Sequence, residues 1–312
     1  MTYPTMTHPS VADPYLLVAA RRGTMLVNRN DIYMGQAYLQ YGECCELETL
    51  FLLSMVRLPG LVIEVGSNMG VHTVPMAAEL ARQGRSAPGS LLALEPQPVI
   101  FQQLCANLAL NGLMNVTALP YACGRETGAI TFEAPDYRSS GNFGGTEMGC
   151  NGRESAGPTQ LPPLTARLPT RLTVQCVKLD DLVPEGEVGL IKIDVEGLEL
   201  EVLQGSAGIL ARCRPVLYVE NDRPGRSQQL IQHLLDLDYR LWWHIPALFN
   251  PDNIRGTPIN HYPNVCSFNM LCIPRGSPIH VDAPMEIFHS DCDPRSQGRK
   301  NPESPICIKL EE

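Results

Sequence analysis

The chain has 312 residues, of which 44% are hydrophobic and 18% charged, enough for one large core of roughly 200–250 residues with extensions around it. Its net charge of −9 excludes a nucleic-acid backbone or an anionic membrane surface as the main partner, because both require a basic footprint. The eleven cysteines form no CxxC pair, and their scattered spacing fits neither a disulfide framework nor a zinc site. Cys105 and Cys123 sit in apolar patterns and read as small buried hydrophobes, so a reducing cytoplasm is the expected setting. The opening residues lack the basic segment and apolar core of a signal peptide, and no run of about 18 apolar residues occurs, so the expectation is a soluble protein that stays inside the cell.

Residues 1–14 are polar and proline-bearing and predict a loose terminus. Residues 43–57 carry helical apolar spacing through Leu47, Leu50, Phe51 and Leu53. A continuous apolar run at 61–66 then predicts a strand that ends in a glycine turn. The following helix has spacing at Val71, Val74, Ala78 and Ala81, with Pro75 in the first turn, where its missing N–H costs nothing. Strand 90–96, helix 98–112 with Phe101, Leu104 and Leu108 on one face, and strand 115–122 continue the alternation. Strand 188–194 precedes a helix whose buried stripe is Leu198, Val202, Gly205 and Ile209. Strand 215–221, helix 227–238 and strands 239–244 and 267–274 complete the count. Apolar strands separated by helices predict an α/β fold with a mostly parallel sheet and helices on both faces.

The organisation read from this pattern is an extension with a leading helix over 1–57, a Rossmann-like domain over 58–274, and an irregular tail over 275–312. Within the domain, residues 134–170 are crowded with Gly, Ser and Pro. They are either a disordered excursion or a lid beside the active site.

EVGSNMG places Glu64, Gly66, Ser67, Asn68 and Gly70 at the carboxyl end of the first strand and the mouth of the first helix, where backbone can approach a ligand closely. Glu95 ends the second strand, in position to accept hydrogen bonds from both ribose hydroxyls of an adenosine. GSNMG lacks the second glycine that a pyrophosphate needs, which disfavours NAD and an oxidoreductase and favours S-adenosylmethionine.

The blocks GLVIEVGSNMGVHTV, LEPQPVIFQQLCANLALNGLMNV, YACG, VKLDDLV, LIKIDVEGLELEVLQG and RPVLYVEN, with GNFGG inside the long loop, resemble successive blocks of the FkbM family of methyltransferases over about residues 31–274. The resemblance implies a class I methyltransferase fold, Rossmann-like and seven-stranded with the last strand antiparallel, and S-adenosylmethionine as methyl donor. It implies that Glu64, Gly66, Asn68 and Gly70 lie along the methionine part, Glu95 on the ribose and Ala122 beside the adenine. Ser67, His72, Thr73, Pro96 and Asp194 fall among the donor-binding positions as well. Glu64 stands where many relatives carry Asp, a change of length and not of charge.

Methyl transfer to an alcohol needs a base or a metal, and the carboxyl ends of strands are where a parallel sheet presents them. Asp194 ends one strand, Glu220 and Asn221 end the next, and Glu196 and Asp222 lie close by. Asp194 and Glu220 are catalytic candidates. With Asn221 they are also candidate magnesium ligands, an arrangement that resembles catechol-type and macrolide-sugar methyltransferases; the alternative is a capping role near helix starts. His244 is a further base candidate or a packed structural histidine, and Lys192 is expected to point inward with its amine paired. His233 is expected to be exposed. The functional expectation is O-methylation of a hydroxyl on a small-molecule secondary metabolite or sugar, with N-methylation or an inactive donor-binding protein as alternatives. Homo-oligomer formation is left open by the sequence.

Overall fold

The computed structural model describes residues 12–145, 171–283, 285–297 and 307–310. A hairpin of β1 (Tyr15–Ala20) and β2 (Gly23–Asn28) and two helices, α1 (Met34–Tyr41) and α2 (Glu46–Met55), lead into the main sheet. The hairpin and α1 carry no strong period and were not foreseen. Then β3 (Leu61–Val65), α3 (Thr73–Arg82), β4 (Leu91–Leu94), α4 (Pro98–Leu110) and β5 (Val116–Leu119) alternate as the sequence predicts. The third strand stops short of the expected 115–122, because Pro120 has no N–H to give the ladder. Beyond it β6 (Ala122–Cys123) joins β7 (Gly128–Glu133) and β8 (Arg171–Val177) in a separate sheet of order β6-β8-β7.

A short helix α5 (Leu179–Leu182) returns the chain to the main sheet at β9 (Val188–Ile193). The helix expected from 195 onward is two pieces, α6 (Glu199–Gln204) and α7 (Ala207–Cys213), broken at Gly205. A Cβ on Gly205 would lie 2.0 Å from the carbonyl oxygen of Gly124, so close backbone approach, and not helix continuity, decides the residue. The expected stripe survives the break, with Leu198, Val202 and Ile209 all buried. β10 (Val216–Glu220), α8 (Pro224–Asp236), β11 (Tyr239–His244) and β12 (Asn269–Pro274) follow. After 275, where no period was legible, β13 (Ile279–Asp282) pairs with β15 (Cys307–Leu310), and β14 (Glu286–Ile287) caps an edge of the main sheet.

The sheet order is β14-β11-β12-β10-β9-β3-β4-β5, with β12 antiparallel to both neighbours. Seven of these strands form the expected Rossmann-like methyltransferase sheet, and the two-residue β14 is the addition. Chain order reverses between β3 and β9, which opens a crevice above their carboxyl ends. Alternate strand residues feed the two faces: Val62, Leu190, Tyr218 and Trp242 pack towards α2, α3 and α4, while Ile63, Ile191, Leu217 and Trp243 pack against α6, α7 and α8.

Three details of burial differ from the spacing. Leu50 is exposed, and the inward face of α2 carries Glu48, Thr49, Phe51 and Leu52. In α3 the inward residues are Val74, Ala77 and Leu80, whereas Ala78 is exposed. Cys105 is exposed and only Cys123 is buried. Among the described residues, no helix is long and apolar enough to cross a membrane.

Candidate active site

The loop after β3 turns sharply through three left-handed residues, Gly66 at φ 84°, Asn68 at φ 48° and Gly70 at φ 92°. The amides of Gly66 and Ser67 both donate to the carbonyl of Leu94 at 2.9 Å, which ties this loop to the end of β4. Gly66 has a packing reason beyond its conformation, since a Cβ there would stand 1.7 Å from the carbonyl oxygen of Asp194. The two loops that flank the switch point therefore touch backbone to backbone.

Glu95 is buried behind this loop. Its Oε2 accepts from the amide of Asn68 at 2.9 Å and its Oε1 from the amide of Gln97 at 2.8 Å. Each carboxylate oxygen has two lone-pair directions, so acceptor capacity remains on the cleft side. Burial pushes the Glu95 carboxyl up to about 7, against the pull of the two amides. The cleft is lined by Glu95, Gly66, Gly144, Asp194 and Glu196 and by an apolar wall of Val65, Pro96, Tyr121, Ala122 and Leu198. A buried carboxyl able to bind a vicinal diol, beside an apolar slot, fits an adenosine-containing molecule.

Of the expected donor-binding residues, Gly66, Glu95, Pro96, Ala122 and Asp194 line this cleft. The others lie around or behind it. Asn68 supports Glu95, and Ser67 Oγ donates to the backbone oxygen of Glu64 at 3.2 Å. Thr73 Oγ1 donates to Glu64 Oε2 at 2.5 Å, and both side chains are buried. His72 turns away towards α2, with Nδ1 3.1 Å from Thr49 Oγ1, and so departs from its expected place on the donor loop. Tyr121, Gln97 and Glu196 are additional lining residues. Tyr121 precedes Ala122 and could have been found from it; Gln97 and Glu196 lie inside the LEPQPVI and KIDVEG blocks, and Glu196 follows the strand-end Asp194 by two residues.

The described part of the Gly-rich excursion packs beside the cleft. Gln97 Nε2 donates to the carbonyl of Phe143 at 3.0 Å, Tyr137 Oη donates to Gln97 Oε1 at 2.9 Å, and the Tyr137 and Phe143 rings meet edge to face. Residues 146–170, the bulk of the expected lid or linker, lie outside the described residues.

Two of the lining residues, Asp194 and Glu196, belong to a carboxyl cluster. Asp194, Glu196 and Glu220 bring oxygen atoms within 4.8 Å of one another. Lys192, fully buried, gives Asp194 Oδ2 a 2.9 Å ion pair and lies 3.9 Å from Glu64 Oε1, as a paired inward lysine should. The register explains this, because Glu64, Lys192 and Tyr218 stand side by side on β3, β9 and β10. Burial opposes ionisation of Asp194, but the Lys192 ammonium outweighs it and holds the carboxyl below its usual range. Glu220 goes the other way: burial, then the charges of Asp194 and Glu196, push it well above the carboxylate range, and it shares a hydrogen bond with Asp194. Glu196 is pushed up to about 8 by burial and by Asp194 and Asp222, against Arg223, whose guanidinium binds both Glu196 and Asp222.

Two expected participants do not join this cluster. Asn221 points its amide at Met270 Sδ, 3.3 Å away, and Met270 belongs to the core on the opposite face of the sheet from Lys192. The alternation of side chains along β10 puts Glu220 and its neighbour Asn221 on opposite sides. With Asp194 Oδ2 held by an ammonium and Asn221 averted, the expected magnesium trio does not fit. His244 is buried with its Nδ1 2.7 Å from Tyr218 Oη and its ring against Phe51. Burial lowers it to about 4, so it is a neutral packed residue outside the cleft. His233 is half-buried on α8, less open than its spacing suggested.

A doubly wound sheet with a cleft of this chemistry at its switch point defines a Rossmann-like α/β protein of the methyltransferase type. Residues 64–241 match the methyltransferase FkbM domain, and the chain belongs to that family. It is 28% identical to the hexuronic acid methyltransferase AglP of Haloferax volcanii, over 51% of this chain and 55% of that protein. It is 27% identical to methyltransferase sdnD of Sordaria araneosa, over 51% of this chain and 66% of that protein. The chain thus spans between about half and two thirds of the length of these relatives. The solved structure of an FkbM methyltransferase from Methylobacillus flagellatus superposes with a TM-score of 0.42 at 15% identity, over 68% of this chain and 43% of that one.

Proposed function

We propose that the chain binds S-adenosylmethionine in the switch-point cleft and transfers its methyl group to a hydroxyl oxygen of a small molecule or sugar. The observation that carries this reading is the cleft itself, lined both by Glu95, a buried carboxyl with spare acceptor capacity, and by Asp194 and Glu196 of a carboxyl cluster. Family membership supports the reaction type, and the hexuronic acid methyltransferase among its relatives supports a sugar-like acceptor. The donor supplies a methyl carbon on a sulfonium: the acceptor oxygen bonds to that carbon as the carbon–sulfur bond breaks, and the electron pair leaves with sulfur.

The chain's residues bind and deprotonate. Glu95 holds the ribose hydroxyls, and the wall of Pro96, Tyr121, Ala122 and Leu198 takes the base. Asp194, kept ionised by Lys192, places a fixed negative charge near the positive sulfonium. Glu196, about one fifth exposed and lining the cleft, is the member placed to take the acceptor's proton. Glu220, protonated and hydrogen-bonded to Asp194, orients that carboxylate.

Calorimetric titration tests the donor. S-adenosylmethionine is expected to bind and NAD is not; binding of NAD alone would reverse the assignment. Glu95→Ala should weaken the donor by about 1.5–3 kcal/mol, the scale of hydrogen bonds to a charged group. The ionised carboxylate is the better diol acceptor, and Glu95 titrates at about 7 in the free protein. Donor binding should therefore release protons near pH 7 and weaken as pH falls below it. Affinity independent of pH between 6 and 8 would remove Glu95 from the ribose contact. Asn221→Ala is expected to leave turnover within about twofold, because its amide faces the opposite core; a loss beyond about tenfold would restore the chelating trio.

A further inference from the structure

We propose that Cys45, Glu48 and His72 form a binding site for a borderline divalent ion, zinc in the first instance, that pins helix α2 to the root of the donor loop. The sulfur, carboxylate oxygen and imidazole nitrogen of these residues lie within 4.8 Å of one another. They come from two elements. Cys45 is the N-cap of α2 and Glu48 lies in its first turn, while His72 immediately precedes α3 and closes the loop that begins at Gly66.

The donor set selects the ion. Thiolate, imidazole and carboxylate together suit zinc, whereas magnesium and calcium favour oxygen alone. The surroundings match what a ligating histidine needs. An imidazole that binds through Nε2 carries its proton on Nδ1, and Nδ1 lies 3.1 Å from Thr49 Oγ1, which can accept it. Nε2 then aims its lone pair at Glu48 Oε1, 3.4 Å away. Two acceptors facing one another inside a core need a proton or a cation between them. The side chain of Ser267 hydrogen-bonds the Glu48 carboxyl.

The buried Lys192 ammonium also acts on Glu48 and His72, but its ion pairs are made with Asp194 and Glu64. Cys45 holds a left-handed backbone at φ 50°, which a non-glycine residue adopts only when its surroundings impose it. Tetrahedral zinc with bonds of about 2.0–2.3 Å sets ligand atoms roughly 3.3–3.8 Å apart, a spacing the Nε2–Oε1 pair already has at 3.4 Å, so it is the sulfur, within 4.8 Å, that has to close in. Three protein ligands leave one position for water.

The test uses the full chain, freed of metal by chelation and titrated with cobalt(II). The expected result is a thiolate-to-cobalt charge-transfer absorption with the ligand-field bands of a four-coordinate site, both bleached by zinc. Cys105→Ser, an exposed cysteine elsewhere, should keep these bands. Cys45→Ser should lose the charge-transfer absorption, Glu48→Gln should weaken cobalt binding at least tenfold, and Thr49→Val should weaken it about 10- to 100-fold. Circular dichroism of each variant separates loss of the site from loss of the fold. Absent bands in the wild-type protein, or bands that persist unchanged in folded Cys45→Ser and Glu48→Gln, would overturn the proposal.

Discussion

Glu196→Gln is expected to lower the turnover number by about 10²–10⁴-fold while leaving donor affinity within about twofold, the range for removal of a positioned general base. The residue sits where a base must sit. It lines the cleft, it keeps a partly exposed carboxyl, and it occupies a left-handed backbone at φ 55° followed by Gly197 at φ 94°. Such a conformation costs a non-glycine residue on the order of 1 kcal/mol and persists only where packing imposes it. Its neighbours are placed less well for the role. Asp194 is tied to Lys192 and its basicity is reduced, and Glu220 and His244 lie outside the cleft lining. The pH profile separates base from scaffold. Glu196 titrates at about 8, so wild-type turnover should rise with pH through that value as the carboxyl loses its proton. The glutamine variant should lose that limb, and an unchanged profile in the variant would move the role to another group.

Gly66→Ala is expected to destabilise the fold by about 3 kcal/mol or more. Two costs add. The φ of 84° is unfavourable for alanine, and the new Cβ would meet the Asp194 carbonyl oxygen at 1.7 Å, an atom that is backbone and cannot rotate aside. Relief would require β3 and β9 to separate at the switch point, which would also displace Asp194 from the cleft. Urea denaturation at constant slope measures the loss. A loss below about 1 kcal/mol would mean that the two loops are not in contact as described.

The parts of this architecture that were legible in the sequence are those set by local period. Apolar runs marked the seven methyltransferase strands of the main sheet, though not β1, β2, β7 or β8, and glycines with a terminal acid marked Gly66 and Glu95 at the ends of β3 and β4. What escaped was set by pairing at a distance. The β1–β2 hairpin has no alternation that stands out, and β6 was merged into β5 because only Pro120 and Tyr121 separate them. The break at Gly205 depends on Gly124, 81 residues earlier, and no helical pattern reports it. In the site the same division holds. Asp194 and Glu220 announce themselves as acids at strand ends, but the averted amide of Asn221 follows from side-chain alternation that a list of strand-end residues ignores. Glu48 and Thr49 were hidden by the assumption that α2 turns its leucines inward, when its buried face carries polar residues towards His72 and Lys192.

Transfer of label tests the central claim most directly. The protein, S-adenosylmethionine labelled in its methyl group, and a low-molecular-weight cell extract are incubated together, and the labelled product is identified by mass spectrometry. The expected product is a small molecule or sugar heavier by one methylene equivalent, with the label on a former hydroxyl oxygen, and it should be lost in Glu196→Gln. A donor that binds without transferring label to any acceptor, or label found on nitrogen, would contradict it.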